Sequence, residues 1–302
     1  MLARTETGDC VFFHRESHLC AIHRDGGEVL LPMTCRHFPR LSVHDARGTF
    51  ISLTHFCPTA AGMLFRGDTG LSIVEAPPAF PAIDYEGLSV GPDEWPPLLH
   101  GRMLMDFDGY SAWERHMVER CADPLASPET VLATLRRDTD LLCRFVPGTQ
   151  TIAEYIEQLP RERVPAGPAQ LLGPSLELRQ SVLAAIPEEL RPSDAEQGLD
   201  EAYQNLVAPL WGDWQMPLNR YLAAKAFANW TAYQGRGIPA IVRGLEVALA
   251  LVRIESSRQC RNAGAQLDAQ LLCEAIRASD FALNHLAVGE ELADAWSRAE
   301  EL

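Results

Sequence analysis

Four of the chain's eight cysteines and six of its nine histidines fall within the first 57 residues, a crowding that core packing does not require. Residues 1–66 have little with which to bury those thiols. They are broken by Gly8, Gly26-Gly27, Pro32, Pro39, Gly48 and Pro58 into short irregular pieces, with strands expected at Thr49–Thr54 and at Glu28–Leu31. Such a segment gains a reason to fold when thiolates from separate loops converge on one ion, because metal binding supplies on the order of 10 kcal/mol. The alternative is four buried or free thiols in a loop-rich region.

The spacing is open. Nine, fourteen and twenty-one residues separate Cys10, Cys20, Cys35 and Cys57, unlike the paired knuckle ligands of a zinc finger. Context adds weight. Cys57 precedes Pro58, as the last ligand does in bacterial ferredoxin runs. Arg36 follows Cys35, and a guanidinium there is expected to lower the thiol pKa and offset the charge of a bound cluster. His14, His18, His23, His37, His44 and His55 are candidate replacements for a cysteine ligand, His23 and His37 being nearest. Cys121, Cys143, Cys260 and Cys273 sit on apolar helical patterns and read as core. One centre held by Cys10, Cys20, Cys35 and Cys57 follows, with an iron–sulfur cluster preferred and zinc the alternative.

Six prolines between Gly67 and Gly101 forbid a long helix there, so residues 67–105 read as a connecting strap. Beyond Asp106 the apolar period becomes helical. Trp113, Met117 and Cys121 share a face, and Ser127-Pro128-Glu129 caps a helix running toward Arg144. Further helices are expected at Ser175–Ala185 and Asp194–Leu210. Single faces are expected from Leu222, Ala226, Trp230 and Tyr233, from Ile241, Leu245, Leu249 and Val252, and from Leu272, Ile276, Ser279, Leu283 and Leu286. The fold class is therefore mainly α: a small irregular cysteine module over 1–66 with little β, the strap, and an all-α domain of seven to nine helices over 106–302.

Charge narrows the partners. The net charge of −15 resides almost wholly beyond residue 66, and an acidic body disfavours nucleic acid and anionic lipid. The most apolar run, Ala240–Ile254, carries Arg243, Glu246 and Arg253, so no membrane span is expected. Arg4, Glu6 and Asp9 occupy the place of a secretory apolar segment, which makes a cytoplasmic location the expectation.

Four segments carry a resemblance: Asp9-Cys10-Val11-Phe12, Leu19-Cys20-Ala21-Ile22-His23, Thr34-Cys35-Arg36-His37-Phe38-Pro39-Arg40, and Ser52-Leu53-Thr54-His55-Phe56-Cys57-Pro58-Thr59-Ala60-Ala61. In these the chain resembles the YkgJ-type cysteine-cluster family, and within it the flagellin lysine-N-methylase branch. Looser likeness continues through Leu218-Asn219-Arg220-Tyr221-Leu222, Ala275-Ile276-Arg277 and Phe281-Ala282-Leu283-Asn284-His285. The family carries a further, closely spaced cysteine group upstream of the position matching Cys10 that this sequence does not hold. The resemblance implies a metal or iron–sulfur centre, S-adenosylmethionine as methyl donor, and a lysine-bearing protein substrate such as flagellin, with Asn219 and Tyr221 on the cofactor side. The sequence itself holds no glycine-rich dinucleotide turn, Cys-x3-Cys-x2-Cys run, Gly-x-Ser-x-Gly, His-Glu-x-x-His or P-loop. Arg277, Phe281 and His285 recur every fourth residue and form a candidate catalytic face, with His285 as proton acceptor and Arg277 as anion grip. The competing reading is a polar stripe in which Glu274 pairs with Arg277.

Overall fold

The computed structural model describes residues 5, 10–17, 19–77, 88–89, 95–167, 171–192 and 197–298. His18, Asp194 and most of the central strap lie outside them. The chain divides into two compact units, residues up to Phe38 belonging to a small one and Pro39–Pro77 to a large one that continues to the end. The small unit stops short of the boundary at residue 66 read from composition.

The small unit is a ribbon followed by two short helices. Strands β1 (Phe13–His14) and β2 (Leu19–Cys20) pair antiparallel, Phe13 opposite Cys20. Helices α1 (Ala21–Gly26) and α2 (Met33–His37) follow, joined through a 3-10 turn at Glu28–Leu30. That turn replaces the strand expected at Glu28–Leu31. Gly27 at φ +73 ends α1 and reverses the chain, and Val29 and Leu30 are left exposed without the paired neighbour that a strand needs.

The large unit opens on a hairpin, β3 (Arg40–Asp45) with β4 (Gly48–Leu53), in register from Arg40↔Leu53 to Asp45↔Gly48. Helix α3 (Pro58–Met63) follows, and β5 (Leu88–Ser89) pairs parallel with β3. Two short antiparallel strands, β6 (Leu98–His100) and β7 (Met103–Leu104), complete the β content. The rest is helical: α4 (Phe107–Cys121), α5 (Pro128–Leu142), α6 (Ile152–Glu157), α7 (Gly173–Ala184), α8 (Leu199–Ala202), α9 (Gln215–Ala226), α10 (Ile238–Ala263), α11 (Ala269–Phe281) and α12 (Gly289–Arg298). The molecule is mainly α, as its sequence class predicts.

Local chemistry fixes the helix ends. Asp106 accepts from Gly109 N at 2.5 Å, Ser127 from Thr130 N at 3.2 Å and Asp268 from Leu271 N at 2.8 Å, while Thr151 and Glu154 form a reciprocal capping box. Helix α10 is the axle. Its 26 residues span about 39 Å, and it packs against α5, α7, α9, α11 and α12. Ile241, Leu245, Leu249 and Val252 are all buried, and so are Val247, Ala248, Leu251 and Ile254 on its other sides. A helix with buried apolar residues on more than one side is stable only when neighbours cover those sides.

One expected face and one expected helix are interrupted. The run through Leu222, Ala226, Trp230 and Tyr233 is not one helix: α9 ends at Ala226, Ala228 adopts φ +51, and Asn229 caps a 3-10 turn at Trp230–Gln234. The strained Ala228 is held because its N–H donates to Glu114 Oε1 at 3.2 Å. In the run toward Leu210, α8 passes into a π turn at Tyr203–Val207 and a 3-10 turn at Ala208–Trp214, since Pro209 lacks the donor that an α-helix requires. Among the described residues, no helix is long and apolar enough to cross a membrane.

Candidate functional site

Three of the four expected ligands belong to the small unit. A turn bond from Phe13 N to Cys10 O at 2.9 Å and the pairing of Phe13 with Cys20 bring Cys10 and Cys20 to one end of the ribbon. Cys35 sits in α2, whose first turn closes from Cys35 N to Pro32 O at 2.9 Å. The Cys35 pKa is raised, first by burial and then by the charges of Cys10 and Cys20. That direction is opposite to the one expected from Arg36. The Arg36 guanidinium instead donates to Val29 O at 2.8 Å and ties α2 to the preceding turn.

A thiol crowded by two others is a donor that a thiophilic cation stabilises, because the cation offsets the repulsion among the thiolates and binds the deprotonated form. In kind, then, the residues fit a thiophilic metal. In distance the set is open: among the described residues no three Cys, His, Asp or Glu side chains stand close enough to hold an ion.

Cys57 belongs to the large unit. It is buried, at 9% exposure, and stands at the N-cap of α3 with its N–H on Thr54 O at 3.4 Å. The residues leading into it, Thr54-His55-Phe56, are anchored by a carboxylate that the sequence reading missed. Asp280 is wholly buried. Its Oδ2 accepts from Thr54 Oγ1 at 2.8 Å, His55 N at 2.6 Å and Asn284 Nδ2 at 2.9 Å; its Oδ1 accepts from Lys225 Nζ at 2.9 Å and Tyr221 OH at 3.3 Å. Burial alone would raise this carboxyl, but Lys225, His55 and the donated hydrogen bonds hold it down at about 2. The sequence did carry a signal: Asp280 continues the spacing of buried Leu272 and Ile276, and a charge on an apolar face needs a buried partner. That partner, Lys225, is the chain's single lysine.

The candidate catalytic face packs on the same strand end. Arg277 Nε donates to Phe56 O at 3.1 Å and its Nη1 to Glu274 at 2.7 and 2.8 Å, so the pairing with Glu274 is present. The rings of Phe281 and His285 lie 4.7 and 5.3 Å from that of Phe56. A π turn at Ala282–Leu286 extends α11 and carries Asn284 and His285, the kind of local widening often found at functional positions. His285 Nε2 stands 3.3 Å from Thr54 Oγ1, and burial lowers its pKa, with Asp280 opposing and Lys225 assisting. Burial likewise pushes the His55 imidazole down to about 4, and its Nδ1 has no hydrogen-bond partner among the described residues.

The remaining candidates are interior. Asn219 Nδ2 donates to Ala126 O at 2.8 Å, and Tyr221 is fully buried with its hydroxyl on Asp280. Between them in sequence, Arg220 clasps the strap: it donates to the carbonyls of Leu64, Gly67 and Thr69 over 2.6–2.9 Å. Next to Lys225 and Asn284 lies a cavity of about 40 Å³, room for one or two waters and too small for a substrate. Of the four distal cysteines, Cys121 and Cys260 are buried, while Cys143 and Cys273 are half-buried.

Protein-family models, curated proteins and solved structures were compared with the chain, and none matches it.

Proposed function

We propose that this chain is a metal-thiolate protein whose small unit holds an iron–sulfur centre through Cys10, Cys20 and Cys35, with zinc as the competing metal. The observation that supports this reading is that three cysteines lie in the small unit, Cys10 and Cys20 at one end of its ribbon and Cys35 in a helix that follows, with the charges of the first two raising the pKa of the third. The part of Cys57 in the centre rests on the sequence, on the Cys57-Pro58 pair and the spacing. A bound cluster would supply electron transfer or Lewis acidity; the chain supplies thiolates from an otherwise core-poor segment, and the binding free energy stabilises that segment.

The test is metal analysis with an absorption spectrum on full-length protein purified without oxygen. Ser at Cys10, Cys20 or Cys35 should each strip most of the metal, Ser at Cys57 tests the fourth ligand, and Cys121→Ser or Cys143→Ser should leave the content unchanged. Full retention in the Cys10, Cys20 and Cys35 variants overturns the assignment. A colourless protein with one zinc overturns the choice of iron.

A second reading, S-adenosylmethionine-dependent N-methylation of a protein lysine such as one on flagellin, is favoured by one observation: the Arg277–Phe281–His285 face packs on Phe56, beside Cys57. The donor would supply the methyl group, and the chain must take a proton from the lysine, whose ordinary pKa is near 10.4. His285, held neutral by burial, is the acceptor in that scheme. Arg277, committed to Glu274 and Phe56 O, positions the face. Methyl incorporation into flagellin, followed by mass spectrometry with wild type and His285→Gln, tests it: no transfer by metal-replete protein refutes the enzyme, and transfer unaffected by His285→Gln refutes the base. The alternative to catalysis is a metal-binding protein whose helical unit is a docking scaffold.

A further inference from the structure

Thr54, one residue beyond β4, joins the strand end to α11 and to the π turn that follows it, and the hydrogen bonds of its hydroxyl can be accounted for in full. The residue is 2% exposed, so the hydroxyl depends on protein partners. It has one proton to give and two lone pairs to receive with. The proton goes to Asp280 Oδ2 at 2.8 Å. Asp280 can only accept: it is wholly buried, its Oδ1 lies on Lys225 Nζ at 2.9 Å, and its pKa is held at about 2. One Thr54 lone pair receives the Phe56 N–H at 3.4 Å.

The other lone pair meets His285 Nε2 at 3.3 Å. With its only proton given to a carboxylate, Thr54 has nothing to donate to that nitrogen, and two lone pairs facing each other repel. Nε2 must therefore carry the proton. A neutral imidazole protonated at Nε2 has its basic lone pair on Nδ1. Neighbouring rings hold the imidazole in place, that of Phe56 at 5.3 Å and that of Phe281 stacked at 5.7 Å. His285 nonetheless keeps exposed surface, so a partner can reach it from outside.

A proton arriving at Nδ1 turns the ring into an imidazolium whose charge is shared with the Nε2–H group. The bonds from Nε2 to Thr54 and from Thr54 to Asp280 then lie in series and strengthen each other. Burial disfavours the charged ring; Asp280 opposes that effect and Lys225 adds to it.

We propose that Thr54 and Asp280 are positioning residues for His285: they hold its proton on Nε2, so that Nδ1 is the nitrogen that accepts a proton from an incoming amine. In that step the ammonium N–H bond breaks, its electron pair stays on the amine nitrogen, and the proton joins the Nδ1 lone pair. The use of the proton acceptor rests on the methyl-transfer reading; the tautomer does not. The experiment is long-range proton–nitrogen correlation spectroscopy of full-length protein labelled with nitrogen-15, at pH 8, with His285→Gln identifying the signals. The ratio of the Nε2–H to the Nδ1–H form should exceed that of the same histidine in urea-unfolded protein by about tenfold, the worth of one hydrogen bond. Thr54→Val, which removes the hydroxyl, should bring the ratio down to the unfolded value, and Thr54→Ser should keep the wild-type ratio. A merely structural Thr54 would change stability and leave the tautomer alone. A wild-type Nδ1–H form, or a ratio that Thr54→Val leaves unchanged, would overturn the assignment. Circular dichroism verifies that each variant is folded; should Thr54→Val not fold, the wild-type tautomer decides. Since the measurement needs no methyl transfer, an absence of transfer refutes the enzyme without touching the tautomer, and a wrong tautomer refutes the positioning without touching the enzyme.

Discussion

Asp280→Asn keeps the shape of the side chain and removes its charge at the point where the strand end, α9 and α11 meet. Oδ2 takes three donors and Oδ1 two, so an asparagine that keeps its oxygen toward Thr54, His55 and Asn284 must turn its NH2 toward the Lys225 ammonium. The Lys225 side chain, 16% exposed, is then a charge with no counter-ion. Breaking a buried pair in this way costs about 3–5 kcal/mol. Lys225→Met, close in volume, removes the cation and leaves the carboxylate with four donors, at a cost of about 3 kcal/mol. In Asp280→Asn/Lys225→Met no unpaired charge remains, so the double variant should lie at least about 2 kcal/mol above the sum of the single losses. Urea unfolding at pH 7, followed by tryptophan fluorescence, measures all three. Additive losses, or single variants within about 0.5 kcal/mol of wild type, would refute the view that this pair is electrostatically coupled in the interior.

Two more outcomes follow from the same contacts. Asp280 titrates at about 2 in the folded chain against an ordinary 3.8, so its contribution is complete above pH 4 and is lost as pH falls through 2. Acid unfolding of wild type should show an extra loss of about 2 kcal/mol over that window, and Asp280→Asn should lack it; parallel curves would count against the depressed value. Arg220→Met leaves the carbonyls of Leu64, Gly67 and Thr69 without their donor, which should cost about 3 kcal/mol, with Arg220→Lys recovering part. A loss below about 0.5 kcal/mol would mean that water replaces the clasp at no cost.

Much of the helical unit was legible because its signals are local. Ser127-Pro128 and the Trp113, Met117, Cys121 face each specify an element whatever surrounds them, and α4 and α5 form there. The misses arise where distant residues decide. Strand β3 exists through pairing with β4, and its own sequence Arg40–Asp45 alternates too weakly to announce it. The break after α9 depends on Glu114, more than a hundred residues away, satisfying the Ala228 N–H. At the candidate site, Cys10, Cys20 and Cys35 stand out by composition, and Arg277, Phe281 and His285 by helical spacing. Asp280 passed as one more acidic residue in an acidic chain, since its role is defined by donors from two other segments of the fold.

Of the chain's 26 cationic side chains all but one are guanidinium, and that one ammonium is turned inward onto Asp280. The surface is consequently almost silent to amine chemistry. Acylating reagents find no free ε-amine among the side chains, and cross-linkers that bridge lysines cannot join one copy to another through them. Any acyl or methyl mark found at Lys225 would therefore report that the buried pair had opened.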